Sequence, residues 1–328
     1  MEEYYLGWIK QLEDGLEKWG TVSVPGRYRC VVVSGMGGSG IVGDYVAVLS
    51  HTRGVLPVIV SKSHLLPGFV GRDDLVFVIS YSGNTLETRL AFQQAVEKGA
   101  RIVVVSSDGV LEEEATRRGL PYIPVVKGIA PRTALPHMLY GILGVLDSSG
   151  YTMVSRSEAE EAYKFITSIM GDTVSESQGI AEFIDSNKGL LIVATHTPYE
   201  PLALRAKNEF NENSKIPVKV EVAPEWMHNG IVGWEKPYEN KYAAILVRDP
   251  MDKAGSALIE FMADTYRRLG IPVYVVDLRG ESLLEKLLYG SLLFGFASVK
   301  LARIRGLDPL KTESISSYKK RVNEIFLD

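Results

Sequence analysis

Three hydroxyls crowd one short turn of the chain. In "VISYSGNTLET", Ser80, Ser82 and Thr85 surround Gly83 between an apolar run and the start of an amphipathic one. Such a turn aims backbone N–H groups out of a helix N-terminus, where the dipole favours negative charge, and adds side-chain donors to them. The set suits a phosphate monoester dianion and offers little to a flat base. Serine and threonine are also good helix caps, so capping is the alternative.

Four further places carry groups able to move a proton or hold a charge. "NEFNENSKIP" puts Glu209 and Glu212 on the last turns of a helix that must end before Pro217. A carboxylate near the negative end of a helix, with a second acid close by, tends to keep its proton to higher pH, which suits a general base. A solvated polar helix end is the competing reading. "PEWMHNGIVGW" sets His228, an imidazole able to take up and pass on a proton, before the turn signal Asn229-Gly230. "GIAPRTALPHMLYGIL" holds Arg132 at the start of an apolar helix, between Pro131 and Pro136. That is a poor place for an ordinary surface cation and a good one for a fixed cation; His137 beside it is expected to pack or face solvent. In "DPLKTESISSYKKRVNEIF", Thr312 and Lys319 stand two turns apart on one helix face, with Lys311 and Lys320 as neighbours that composition does not separate from Lys319.

A second loop, "VVVSGMGGSGIVGDYV", spaces Gly35, Gly37 and Gly40 as G-x-G-x-x-G between a β-branched run and a helix-like segment. This is the context of a dinucleotide fingerprint. Its physics, glycine turns that let backbone N–H groups approach an anion, serves any phosphorylated ligand equally. An NAD site would place a carboxylate at the end of the next strand. Here that strand, "VLPVIVSKSH", ends in Ser61 and Lys62. Lys62 leaves an NADP phosphate as a minor alternative, and no G-K-[ST] closes a P-loop.

The elements that must position these groups come in two series. "CVVVSG", "LPVIVS", "LVFVIS", "RIVVVSS" and "YIPVV" form the first, with "LETRLAFQQAVEKG" a helix between the third and fourth; "LLIVATH", "IPVKVEV", "YAAILVRD" and "IPVYVVD" form the second. Continuous apolar strands alternating with helices imply α/β domains, each a parallel sheet flanked by helices on both faces. "LVFVISYSGNTLETRLAFQQAVEKGARIVVVSS" and "AAILVRDPMDKAGSALIEFMADTYRRLGIPVYVVD" both run strand, polar turn, amphipathic helix, Gly, strand, which reads as an internal duplication of fold. The small and polar residues of 147–163 suggest a boundary near 152, giving domains 1–152 and 153–328. The segment from Lys311 onward is expected to be helical. In the second half, the turn from Arg248 to Gly255 has no assigned role.

Bulk properties narrow the classes. The chain has 328 residues, 46% hydrophobic and 23% charged, as in globular proteins of two ordinary domains. A net charge of −4 argues against nucleic acid as a partner. The acidic start "MEEYYLGWIKQLEDGLEKW" lacks a signal-type apolar run, and the longest nearly apolar stretch, around 134–146, is too short for a bilayer, so a cytoplasmic protein without membrane contact is expected. Cys30 is the single cysteine, and the five histidines have no metal-ligand spacing; no metal is expected.

Ser80-Tyr81-Ser82-Gly83-Asn84-Thr85 resembles the S-x-S-G-x-T phosphate loop of sugar isomerase (SIS) domains, and the whole chain resembles two such domains. "NEFNENSK", with His228 sixteen residues beyond Glu212, is similar to the catalytic segment of bifunctional phosphoglucose/phosphomannose isomerases. The resemblance implies aldose–ketose isomerisation of fructose 6-phosphate to glucose 6-phosphate and mannose 6-phosphate through a cis-enediol, without cofactor. It implies Glu212 as base, with Glu209 in reserve, and Arg132 as the cation facing the enediolate. Ring opening falls to Lys319 and His228, with His228 reaching in from the second subunit of a homodimer. Thr312 leaves room for a water that permits exchange at C2. Gly37, Gly38 and Ser39 line the sugar phosphate beside Ser80, Ser82 and Thr85.

Two other classes compete. A non-catalytic sugar-phosphate sensor would need the hydroxyl loop but not Arg132, Glu212, His228 and Lys319 together. An aminosugar isomerase or deaminase would bring its own ammonia chemistry or an attached glutaminase domain.

Overall fold

The computed structural model describes residues 1–237 and 241–327 and divides into two compact units. One comprises Leu6–Lys164 with the C-terminal segment from Thr312; the other comprises Met1–Tyr5 with Phe165–Lys311. The residue-152 boundary read from the sequence lies just ahead of the long helix Arg156–Ser186, and the units divide within that helix.

In the first unit the β-branched runs become strands β1 (Cys30–Gly35), β2 (Val58–Ser61), β3 (Asp74–Ile79), β4 (Arg101–Ser106) and β5 (Tyr122–Pro124). They form one parallel sheet in the order β2-β1-β3-β4-β5. Every residue of β1 and β3 is buried, which is why these strands read as unbroken apolar runs rather than alternating ones. Val32, Val76, Val78, Ile102 and Val104 pack on Ala91, Phe92, Leu111 and Ala115 of the helices Leu86–Glu97 and Val110–Arg118. The helix Gly37–Arg53 lies against the other face so closely that a Cβ at Gly43 would come within 2.9 Å of Val33 Cγ1.

The strand order reverses between β1 and β3. Connections leaving these two strands diverge, opening a crevice at their carboxyl ends where ligands bind in doubly wound sheets. Both the glycine loop and the hydroxyl loop leave from this point, and the register Gly35↔Ile79 sets their starts side by side.

The second unit contains β6 (Leu190–His196), β7 (Val218–Ala223), β8 (Tyr242–Arg248) and β9 (Val273–Asp277), parallel and ordered β7-β6-β8-β9. Right-handed crossovers leave β6 and β8 in opposite directions, so the helices Glu200–Glu209 and Lys253–Arg268 cover opposite faces. Its core helix, Leu283–Ile304, begins in a capping box between Ser282 and Glu285. Among the described residues this 22-residue helix, rather than residues 134–146, is the apolar segment long enough by composition to cross a membrane, yet 83% of its most apolar stretch is buried inside the protein.

Candidate active site

The hydroxyl loop joins β3 to the helix Leu86–Glu97. Gly83 takes φ +66°, and a Cβ there would lie 1.7 Å from the Asp108 carbonyl oxygen. Only glycine fits both demands. Ser80 Oγ donates to Thr85 Oγ1 at 3.0 Å, and Asn84 Nδ2 donates to the Ser82 carbonyl at 2.9 Å while its Oδ1 accepts from Val110 N at 3.2 Å. Thr85 stands at the N-cap position, yet its side chain makes no capping bond. The capping alternative therefore does not describe Thr85; its hydroxyl is paired with Ser80 at the mouth of the helix dipole.

The glycine loop lies beside it. Gly37 has φ +53° with open space where a Cβ would be, whereas Gly38 backs onto the next segment, its Cβ position 3.1 Å from Arg132 Cα. Ser39 is turned inward, 5% exposed, its hydroxyl 3.9 Å from Met138 Sδ. Lys62, the residue considered for an NADP phosphate, is ion-paired with Asp44.

Arg132 sits in a short 3-10 turn, Pro131–Ala134, ahead of the helix Leu135–Ser148, and is 6% exposed. Trp8 Nε1 and Gln11 Nε2 both donate to the Thr133 carbonyl at 2.9 Å, and Thr133 Oγ1 donates to the Ala130 carbonyl at 2.8 Å. These bonds tie the turn to the helix Trp8–Glu17.

His137, one turn further on, packs, as one of its two expectations had it. It is buried, and its Nδ1 accepts from Val126 N at 3.0 Å. Burial, aided by the charge of Lys18, pushes its pKa down to about 4. Its contribution to stability is then intact above the unfolded value near 6.5 and falls as pH drops from there toward 4, because the unfolded chain takes up the proton first. The full loss is about 3 kcal/mol. Urea unfolding at pH 7 and pH 4.5 should show a smaller acid loss for His137→Asn, which keeps an acceptor for Val126.

The C-terminal helix Glu313–Leu327 belongs to this same unit. Tyr318 Oη donates to Glu87 Oε1 at 2.5 Å, Val322 is buried, and Phe326 packs on His64 with ring centroids 4.7 Å apart. Glu87 lies in the first turn after the hydroxyl loop, so Tyr318 ties the helix bearing Lys319 to the helix that starts at the loop. Thr312 is half-buried; Lys319 and Lys320 are exposed.

In the second unit Glu209 and Glu212 part company. Glu209 is 1% exposed, paired with Arg205 and accepting from Tyr5 Oη and, at 2.9 Å, from Asn213 Nδ2. Glu212 is half-buried and rides on a π turn, Phe210–Ser214, that ends at Lys215 with φ +57°. The nearby acid is thus compensated by a buried arginine. His228 is exposed on a segment that packs, through Trp226 and Trp234, on Met262 and Tyr266. That is the face of the sheet opposite the helix leading to Glu212, so the fold does not bring these two residues together within one copy of the unit. Lys311, the last residue of this unit, is exposed.

The turn from Arg248 to Gly255 occupies the reversal point of the second sheet, the counterpart of the hydroxyl loop. Asp249, 6% exposed, accepts from Lys286 Nζ and Tyr199 Oη, each at 2.7 Å, and its backbone N–H donates to His196 Nε2 at 3.1 Å. Burial opposes ionisation of Asp249, but the Lys286 ammonium and the Tyr199 hydroxyl outweigh it and hold the carboxyl below its ordinary range. A Cβ on Gly255 would come within 2.2 Å of the His196 ring. Side chains fill this position.

Tyr5, Trp8, Gln11, Arg205 and Tyr318 escaped the sequence reading. Only Arg205 left a local sign, its i,i+4 spacing to Glu209. The others act on residues far away in the chain.

Residues 28–118 match the SIS domain family, and residues 173–322 match the bacterial phospho-glucose isomerase C-terminal SIS domain family. The chain is 34% identical over 301 residues to the bifunctional phosphoglucose/phosphomannose isomerase of Aquifex aeolicus, covering 90% of this chain and 91% of that one. To the protein of the same name from Aeropyrum pernix it is 34% identical over 343 residues, covering 99% and 98%. Among solved structures it is similar in fold to the C-terminal domain of glucosamine-fructose-6-phosphate aminotransferase from Francisella tularensis, with TM-score 0.74, 13% identity and coverage of 93% and 95%. The last likeness speaks for the fold alone, but the first two cover 90% or more of both chains at 34% identity: this chain belongs to the bifunctional phosphoglucose/phosphomannose isomerase family.

Proposed function

We propose that the protein is a cytoplasmic, cofactor-free isomerase that interconverts fructose 6-phosphate with glucose 6-phosphate and mannose 6-phosphate. The observation that carries the reading is the different burial of the two glutamates: Glu209 is 1% exposed and held by Arg205, Tyr5 and Asn213, while Glu212, three residues on, is only half-buried on a π turn. Ser80, Ser82, Thr85 and the glycine loop hold the phosphate dianion at the head of a helix. Glu212 takes the proton from C1 of the open-chain ketose and returns it at C2; the aldoses run the same steps in reverse. Arg132 offsets the charge of the enediolate. Lys319 and His228 move the ring-opening proton, and Thr312 leaves space for the water that allows exchange at C2.

The opposite-face placement of Glu212 and His228 supports a homodimer in which His228 serves the site of the other copy. Mixing Glu212→Gln with His228→Ala chains tests this directly. If the histidine is exchanged, half the dimers carry one intact site and activity returns to about a quarter of wild type; if it is not, mixing restores nothing. The reaction itself is tested by proton NMR of the wild type in D₂O with fructose 6-phosphate and no added metal or nucleotide. Deuterium at C2 of both glucose and mannose 6-phosphates is the expected result, and no conversion by folded protein would leave a sugar-phosphate sensor as the better account.

A further inference from the structure

π turns are rare, use a wider and poorer hydrogen-bonding pattern than the α-helix, and persist where surrounding structure holds them. The turn that carries Glu212 is held by a buried polar network drawn from distant parts of the second unit. Asn213, 0% exposed, aims its amide nitrogen at Glu209 Oε2 (2.9 Å), Ser298 Oγ (2.8 Å) and Tyr5 Oη (3.2 Å). Ser214, also 0% exposed, donates its hydroxyl to the Ser298 carbonyl at 2.8 Å, and its own carbonyl accepts from Arg305 at 2.5 Å. Tyr5 closes the set by donating to the same Glu209 oxygen that Asn213 reaches. Its ring is locked between Phe296, at 5.6 Å between centroids, and Gly295, where a Cβ would meet the ring at 2.4 Å.

Stability alone gives little reason for such a network, since a buried ion pair is commonly replaceable by apolar side chains at no loss. What it does is fix the chain on both sides of Glu212. Glu209 precedes it by three residues and Asn213 follows it directly. We infer that Tyr5, Glu209, Asn213 and Ser298 are positioning residues that set the direction of the Glu212 carboxylate. The inference rests on the proposed role of Glu212 as base. It gives the N-terminal segment a part in the chemistry: Tyr5, more than two hundred residues away in sequence, steers Glu212 through a carboxylate and an amide without itself touching substrate.

Tyr5→Phe removes one hydroxyl and keeps the ring, so the fold is expected to survive. With fructose 6-phosphate, kcat should fall about tenfold or more, as for misplacements of a base by a fraction of an ångström, while KM stays within about twofold. In a Glu212→Gln background the same change should alter the residual rate by less than about twofold, because no base remains to be aimed. An equal fold-loss in both backgrounds would mean a general structural effect and overturn the positioning role; so would a wild-type kcat for Tyr5→Phe when Glu212→Gln is inactive. A wild type without isomerase activity would overturn the functional reading and the network together. If Tyr5→Phe does not fold, Ser298→Ala, which takes one acceptor from Asn213, is read by the same two comparisons.

Discussion

Glu212→Gln should lower the entry of deuterium at C2 of glucose and mannose 6-phosphates by about 10²–10⁴-fold, with KM for fructose 6-phosphate nearly unchanged. Glutamine keeps the length and shape of the side chain and removes its capacity to accept a proton from carbon. The change falls on a half-buried position, and the bonds among Tyr5, Glu209 and Asn213 that hold the π turn are made by other side chains. Circular dichroism and the melting temperature should match wild type. The check is single-turnover and steady-state NMR on the purified variant. Exchange at the wild-type rate would remove Glu212 as the base and leave Glu209, ion-paired with Arg205, as the acid to test.

Gly83→Ala should reduce kcat/KM by about 10²-fold or more, chiefly through KM. The added Cβ would stand 1.7 Å from the Asp108 carbonyl oxygen, far inside any permissible contact, and alanine resists φ +66°. Neither neighbour is a flexible side chain that can step aside. The loop between β3 and its helix must shift, separating the hydroxyls of Ser80, Ser82 and Thr85 from the helix N-terminus. Losing two charge-assisted bonds to the phosphate, each worth about 1.5–3 kcal/mol, accounts for the expected factor. Isothermal titration with fructose 6-phosphate, together with the melting temperature, separates lost affinity from lost fold. Wild-type affinity in the variant would show that the phosphate is held elsewhere.

How far these sites were legible depends on the range over which each signal acts. Among the described residues, the central strands stand out as apolar runs because both faces of each sheet are covered: every residue of β1 and β3, and nearly every residue of β4, β6 and β8, is buried. The hydroxyl loop is equally local: its glycine, its hydroxyls and the helix that follows are adjacent in sequence, and the turn they make is dictated by sterics within a few residues. The lack of a carboxylate at the end of β2, where an NAD site would place one, is likewise a fact of the chain itself.

Local residue pattern did not choose between neighbours. Glu209 and Glu212 are both acids near a helix end; the family resemblance put Glu212 first and Glu209 in reserve, and packing separates them physically by enclosing Glu209 with Arg205, Tyr5 and Asn213 and leaving Glu212 half-buried. The sixteen-residue spacing between Glu212 and His228 reads as a pair in sequence, yet the intervening strand and the direction of its crossover send them to opposite faces of one sheet. The assignment of the tails to units was likewise invisible. Tyr5 and Tyr318 find Glu209 and Glu87 at distances in sequence that no periodicity spans. By itself, then, the sequence determined the succession of strands and helices and the residues that form each loop, governed by local sterics and by which runs must escape water. The tertiary structure alone decided which acid is enclosed, what holds it and which turn is already filled, because those follow from burial and hydrogen bonding between segments that are neighbours only once the chain has folded.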